Sequence, residues 1–308
     1  MVNLSYRTEY GAYYHGKIED ALESSVFSNL KGRVNLILTS PPFPLNRKKK
    51  YGNLEGEEYL NWFSSLANKF KNLIADDGSI IIELGNSWNK GEPAMSILSL
   101  KALMQFLEGG NYKLCQQFVW YNTAKLPSPA QWVNVKRCRV KDSYTNIWWM
   151  AKNAYPRADN RKILVPYSSS MNKLLKNQRY NAGTRPSEHN IGDKSFLKDN
   201  KGAIPSNVIV SANTESNSDY LKYCKANQIA LHPARMPKSI VEYFINFLTE
   251  PGDIVLDPFG GSNTTGEVAE SLNRNWIAVE ANLEYIRGSV GRFQNSITEN
   301  FLSPCQEF

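Results

Sequence analysis

Strand-length apolar runs and helical periodicities alternate over residues 10–121, stop, and alternate again over residues 238–279. In the first block the pattern predicts a strand over 10–14, then a turn at His15-Gly16. A helical spacing of Ile18, Leu22 and Val26 follows, and then a strand over 34–39. Residues 57–73 place Leu60, Phe63, Leu66, Ala67, Phe70 and Leu73 on one helical face. Asp76-Asp77-Gly78 predicts a turn, 79–84 a buried strand, 94–107 a helix and 114–121 a strand. The late block predicts a helix over 238–248, a strand over 253–256, a helix over 264–272 and a strand over 276–279. Strands alternating with helices imply an α/β fold, a parallel sheet covered on both faces, built from both ends of the chain.

Between residues 122 and 225 the alternation fails. Pro127, Pro129, Pro156, Pro166, Pro186 and Pro205 interrupt it, and only 140–151, with Trp148 and Trp149, predicts a further strand of the main sheet. The two tryptophans are expected in the sheet core. Residues 121–200 carry 15 Lys/Arg against 5 Asp/Glu, a local +10 in a chain whose net charge is +7. The remainder therefore sums to −3, and the basic segment suits a polyanion-binding surface or a solvated basic face. With 308 residues, 42% of them hydrophobic, the chain can bury a full core in one or two domains. No signal-peptide pattern or bilayer-length apolar run is present, so a soluble, cytoplasmic protein with no membrane partner is expected. Four scattered cysteines and three unclustered histidines predict reduced thiols and no metal site.

The strand over 34–39 leads into Ser40-Pro41-Pro42-Phe43-Pro44. Proline donates no N–H and forces the preceding residue out of helical geometry, so the strand exit is extended, with carbonyls free to accept. Acceptors beside an aromatic ring can grip a flat hydrogen-bonding ligand such as a nucleobase. An ordinary strand-to-loop exit has the same residues.

Residues 253–267 read as strand, glycine turn, helix, through Asp257-Pro258-Phe259-Gly260-Gly261-Ser262-Asn263-Thr264. Glycines let a ligand approach the backbone, and the helix start offers N–H groups. Neither the phosphate-binding P-loop nor the dinucleotide glycine spacing is met. Glu280 ends the next strand, where an acidic side chain binds ribose hydroxyls in such folds. Glycine turn and acid together fit S-adenosylmethionine; a tight turn and a surface Glu would look alike.

Taken together, these stretches resemble the beta class of DNA amino-methyltransferases. That family carries a (Ser/Asp/Asn)-Pro-Pro-(Tyr/Phe) catalytic motif, here Ser40-Pro41-Pro42-Phe43. Its Asp-Pro-Phe-x-Gly-Ser-x-Thr cofactor motif matches residues 257–264, and its further cofactor motif matches His232-Pro233-Ala234-Arg235-Met236-Pro237. The catalytic motif comes first and the target-recognition region lies between, the permuted order of that class. The likeness to one member of the class continues through Arg47 to Glu55, Lys125 to Pro129, Arg139 to Asp142, Thr184 to Ser187 and Ser195-Phe196. Two departures stand out. Lys17 follows Gly16 where the family often has an acid, and Glu83 stands where a close relative typically has Asp.

The resemblance implies a Rossmann-like, circularly permuted methyltransferase sheet with a loop-rich target-recognition insert. Residues 1–121 would be the catalytic half, 122–228 the target-recognition region and 229–308 the cofactor-binding half. It implies transfer of a methyl group from S-adenosyl-L-methionine to the N4 amino group of a flipped-out cytosine in a short palindromic site of double-stranded DNA. Ser40, Pro41, Pro42, Phe43 and Glu83 would be catalytic. Asp257, Phe259, Gly260, Gly261, Ser262, Asn263, Thr264, Glu280, Pro237 and His232 would bind cofactor, His232 being equally suited to a structural role beside its proline. Arg47, Lys48, Lys49, Lys125, Arg137, Arg139, Lys141 and Arg185 are the DNA-binding candidates. A monomer is implied, associated with the nucleoid through DNA. So is a restriction–modification setting, with a companion restriction endonuclease but no stable complex with it.

Within the family, Ser at the first motif position goes with cytosine and Asp with adenine, so adenine-N6 methylation is the nearest alternative. A non-catalytic DNA-binding relative is another. Cytosine-C5 chemistry needs a catalytic thiol, and the one Pro-Cys pair is Pro304-Cys305 at the C-terminus.

Overall fold

The fold was analysed in a computed structural model that describes residues 1–42, 54, 56–194, 196–214 and 217–302. The strands are β1 (Asn3–Thr8), β2 (Gly11–His15), β3 (Val34–Thr39), β4 (Ile74–Leu84), β5 (Lys113–Tyr121) and β6 (Tyr144–Ala151). They continue with β7 (Gly183–Thr184), β8 (Asn190–Ile191), β9 (Val208–Val210), β10 (Ile254–Asp257), β11 (Asn275–Glu280) and β12 (Ile297–Asn300). By internal contacts the chain divides into one unit of residues 1–158 and 207–308 and a second of residues 159–206.

The first unit holds a ten-stranded sheet in the order β12-β1-β2-β11-β10-β3-β4-β6-β5-β9. Its centre, β2-β11-β10-β3-β4, is parallel, as the alternation predicts. Antiparallel β6 joins β4 on one side and antiparallel β1 and β12 close the other. Alternate residues of β3 face opposite layers. Ile37, with Ile80 and Ile82 of β4, packs under the helix Gly56–Leu73 through Tyr59, Phe63, Leu66 and Phe70. The other face is covered by the helix Lys238–Leu248, whose Phe247 meets Trp149 edge-on at 5.2 Å while Phe244 meets Phe118 at 5.1 Å. Trp148 and Trp149 are both buried in this sheet. Each large side chain so buried contributes about 1.5–3 kcal/mol, and the central strands carry most of them.

Two expectations change. Asp76-Asp77-Gly78 does not end a helix with a free turn but lies inside β4, as a bulge between the pairs Val34↔Ile74 and Leu36↔Ser79. Lys152 at 3.1 Å from Asp76, and the Arg157 N–H donating to the Asp77 carbonyl at 2.9 Å, hold it against the next strand. The helix expected over 94–107 is Leu98–Gly110: the Ser96 hydroxyl accepts from the Leu98 N–H at 3.2 Å at its start, and Asn111 turns left-handed at φ 46° at its end.

The second unit, residues 159–206, has its own small scaffold. It contains the helix Ser169–Asn177, the β7–β8 pair and a bridge between Val165 and Ala203. None of its described hydrophobic side chains is fully buried. Polar contacts hold it instead, such as Tyr167 with Asp199 at 3.1 Å, and Tyr180 packs edge-on against Phe196.

Candidate functional site

The parallel strands β3, β10 and β11 end side by side, and there the chain leaves the sheet toward β4 from one strand and toward β11 from its neighbour. Crevices at the carboxyl ends of such strands, where the winding reverses, are where α/β sheets take ligands. A cavity of about 500 Å³ opens at this edge. It is lined by Ser40, Pro41 and Pro42 after β3, by the glycine turn after β10 and by Glu280 at the end of β11. The catalytic and cofactor motifs, more than 200 residues apart, thus share one cavity.

Asp257 joins them. The Thr39 hydroxyl donates to its Oδ1 at 2.8 Å and the Thr265 hydroxyl to its Oδ2 at 2.7 Å, and the Phe259 N–H also reaches Oδ1 at 3.1 Å. Burial pushes the Asp257 carboxyl above the usual range while these donors oppose the shift. Both oxygens are engaged by the protein, so Asp257 fixes the turn as well as lining the cavity.

Gly261 sits in the left-handed region at φ +52°, and a Cβ there would lie 2.9 Å from Nε2 of His232. The Gly261 N–H donates to Oε2 of Glu280 at 2.9 Å, and its carbonyl accepts the Tyr13 hydroxyl at 2.7 Å. Oε1 of Glu280 accepts from the Asn282 N–H at 2.8 Å, and burial raises this carboxyl above its ordinary value. Phe259, Gly260, Ser262, Thr264 and His232 also line the cavity. Asn263 and Pro237 do not. The Asn263 side chain is buried, capping the helix Thr264–Ser271 through the Gly266 N–H at 3.0 Å and donating to Tyr6 at 3.1 Å. Pro237 is buried at the start of the helix Lys238–Leu248.

Glu83, one residue before the end of β4, lies beneath Ser40 rather than in the cavity wall. The Ser40 hydroxyl hydrogen-bonds its carboxylate. Burial raises the Glu83 carboxyl above its usual range; the Ser40 hydroxyl and the Lys125 charge pull it back. Phe43, Arg47, Lys48 and Lys49 lie outside the described residues.

The remaining basic candidates differ in their partners. Lys125 is 3.8 Å from Asp142, on the Glu83 side of the sheet edge. Arg139 donates to the Pro93 carbonyl at 2.9 Å and Lys141 to the Lys125 carbonyl at 3.4 Å. Arg137 is exposed, at φ +52°, with no hydrogen bond from its side chain among the described residues. Arg185 belongs to the second unit, where it donates to the Asn181 carbonyl at 2.8 Å.

Several lining or supporting residues carry no motif. Arg292, its side chain 1% exposed, donates to the Ser262 carbonyl at 2.6 Å, to the Ser262 hydroxyl at 3.1 Å and to Glu267 at 2.6 Å. Its guanidinium lies 4.7 Å from the Tyr220 ring centroid, and the Tyr220 hydroxyl accepts the His232 N–H at 2.9 Å. Tyr220 belongs to the helix Asp219–Ala226, which packs against the helix Leu283–Ser289. Tyr59 and Trp62 complete the opposite wall, with Trp62 edge-on to Phe259 at 5.7 Å. Only the spacing of Trp62 beside the apolar face of its helix could have marked it. Among the described residues there is no His/Cys/Asp/Glu cluster fit for a metal, and no helix long and apolar enough to cross a membrane.

Comparison with known proteins follows the same geometry. Residues 34–291, which span both motifs and the whole insert, match the N6_N4_Mtase family, described as DNA methylase. The chain is 45% identical over 298 residues to the type II methyltransferase M.PvuII of Proteus hauseri, covering 96% of this chain and 87% of that one. It is 26% identical to the type II methyltransferase M.BglII of Bacillus subtilis, over 82% of this chain and 61% of that one. The solved PvuII DNA methyltransferase, titled cytosine-N4-specific, superposes with a TM-score of 0.75 at 38% identity, covering 97% and 90% of the two chains. The M1.HpyAVI–SAM complex, 20% identical with a TM-score of 0.53 over 92% of this chain, shares the fold. Because the matched span is most of the chain and holds both motifs that line the cavity, the chain belongs to the N6_N4_Mtase family of DNA methylases.

Proposed function

We propose that this protein methylates the N4 amino group of cytosine in double-stranded DNA, with S-adenosyl-L-methionine as donor. The observation that carries the reading is the single cavity shared by Ser40-Pro41-Pro42 and the glycine turn, in a chain so similar to a cytosine-N4-specific enzyme. The cavity fits the cofactor. Its volume is in the range of small-ligand sites, Gly260 and Gly261 present bare backbone, and Glu280 offers carboxylate oxygens at the strand end where ribose hydroxyls bind.

When bound, S-adenosylmethionine supplies an electrophilic methyl group. Gly260, Gly261, Ser262 and Thr264 hold it against the turn, and His232 closes the methionine side. A cytosine amino nitrogen is a poor nucleophile because its lone pair is delocalised into the ring. The Ser40 hydroxyl oxygen and the Pro41 carbonyl accept the two amino protons and turn the lone pair out of the ring plane. Positioning and fixed acceptors supply most of the rate. Ser40 already donates to Glu83, so the surplus proton has a path from the amino group through Ser40 to a buried carboxylate whose proton affinity is raised. Phe43 stacks on the base.

Such chemistry needs the cytosine outside the duplex, at a cost of about a few kcal/mol of unstacking and unpairing. Arg47, Lys48, Lys49, Arg137 and Arg185, with the rest of the 122–228 target-recognition region, offset that cost through phosphate and base contacts. A short palindrome read by a monomer, one strand at a time, is the recognition mode. The setting is the cytoplasm, with a companion endonuclease that forms no stable complex. The test is incubation with plasmid DNA and methyl-labelled S-adenosylmethionine. Label retained in DNA supports the reading; cofactor and DNA binding without transfer would leave a non-catalytic binder.

A further inference from the structure

Tyr59 lies one turn before Trp62 on the helix Gly56–Leu73, with ring centroids 5.6 Å apart. Its ring is stacked on Phe63 at 5.8 Å and 7° and is 2% exposed, so its position is fixed. It lines the cavity, yet its hydroxyl has no hydrogen-bond partner among the described residues. A buried phenol normally finds a partner, because an unmet hydroxyl gives up its hydrogen bonds to water with nothing in return. Three other buried tyrosines show such a partner. Tyr6 pairs with Ser289 at 2.8 Å, Tyr13 with the Gly261 carbonyl at 2.7 Å and Tyr112 with the Ala67 carbonyl at 2.7 Å. Tyr59 therefore brings an unmet, buried donor to the wall of a ligand site.

Which end of the cavity it faces follows from its neighbours. Trp62 donates its indole N–H to the Glu19 carboxylate and packs edge-on against Phe259. Glu19 follows β2, whose neighbour β11 ends at Glu280, the ribose end of the site. Trp62, Phe259 and Ile18 make this end flat-walled and largely apolar. A purine ring suits it: π faces against the aromatic walls, and ring nitrogens that only accept.

We propose that the Tyr59 hydroxyl donates a hydrogen bond to a ring nitrogen of the cofactor's adenine, making Tyr59 a specificity-determining residue for the donor's base. The inference rests on S-adenosylmethionine being the ligand of this cavity.

The test is calorimetric titration of the full-length protein and its Tyr59→Phe variant with S-adenosylhomocysteine and its 1-deaza, 3-deaza and 7-deaza analogues. Tyr59→Phe changes no ring packing, and it should bind the parent about three- to tenfold more weakly. One deaza analogue should lose the same factor on the wild type and bind both proteins alike. Should the variant not fold, a single selective loss within the deaza series on the wild type still decides for a ring-nitrogen contact, and its absence decides against. Equal binding of the parent by both proteins overturns the proposal. So does unchanged cofactor binding with weakened capture of DNA, which would place the hydroxyl on the cytosine side. A wild type that binds no S-adenosylhomocysteine would instead remove the cofactor reading itself, and Tyr59 with it.

Discussion

The Thr39 hydroxyl donates to Oδ1 of Asp257 at 2.8 Å, which ties the residue before Ser40 to the first residue of the glycine turn. Neighbouring parallel strands are thereby locked in register at their carboxyl ends, where Ser40 and the cofactor turn must face each other. Thr39→Val keeps the shape and removes the donor. Loss of about 1–3 kcal/mol of stability is expected, since a buried carboxylate oxygen loses one of its partners. Denaturant unfolding measures it, and weaker S-adenosylmethionine binding should accompany it.

Glu83 as proton acceptor makes a prediction about pH. Burial disfavours its charged form, so its carboxyl holds a proton at higher pH than an ordinary glutamate would. The acceptor must be ionised, so kcat should fall as pH falls through that raised value, on an acid limb lying above the ordinary Glu range of about 4.3. Glu83→Gln should lower kcat by about 10²–10⁴ and abolish the limb, with cofactor and DNA binding intact. Near-normal turnover in the variant would remove Glu83 from the proton path.

Lys125 and Arg137 should separate under salt. Lys125 faces Asp142 and the Glu83 carboxylate, so Lys125→Met should move the acid limb to still higher pH, with little change in the salt dependence of DNA binding. Arg137 is exposed, and Arg137→Ala should weaken binding and reduce the salt slope by about 1. Binding titrations over a salt series read both outcomes.

Arg292 is the structural key of the glycine turn. Arg292→Met releases the Ser262 carbonyl and hydroxyl while Glu267 keeps Lys238 at 2.6 Å, and should cost about 1–3 kcal/mol, the range for an unmet buried polar group. Thermal unfolding should show it without cofactor present.

Gly261→Ala tests close approach. It combines a left-handed φ with a Cβ 2.9 Å from the His232 ring. Backbone strain of about 1–2 kcal/mol and a displaced His232 should weaken cofactor binding more than folding, as paired calorimetry and melting curves would show.

Much of this was legible in the sequence because the central strands are short apolar runs bounded by turn residues. β3 and the helix Lys238–Leu248 have the bounds their periodicity predicts. The edges were not. β1 mixes polar and apolar residues on a strand half-exposed at the sheet margin, β9 has three residues and β12 four, too few for a period to declare itself. In the site, the two motifs were readable because proline and glycine spacing is local chemistry. Arg292 was not, because nothing near it in sequence says that its guanidinium folds back 30 residues onto Ser262. Asn263, in turn, stands within the motif yet turns inward as a helix cap, a role its residue type and the following Thr264-Thr265 also signal. Tyr59 reads as one more core aromatic until its hydroxyl is seen to lack a partner.

The most direct test is the identity of the methylated base. DNA treated with the purified protein and methyl-labelled S-adenosylmethionine is digested to nucleosides, and the labelled product is identified by mass spectrometry. N4-methylcytosine is the predicted product. N6-methyladenine would keep the fold and the cofactor but contradict the role given to Ser40 and Pro41, the centre of the chemistry set out for this cavity.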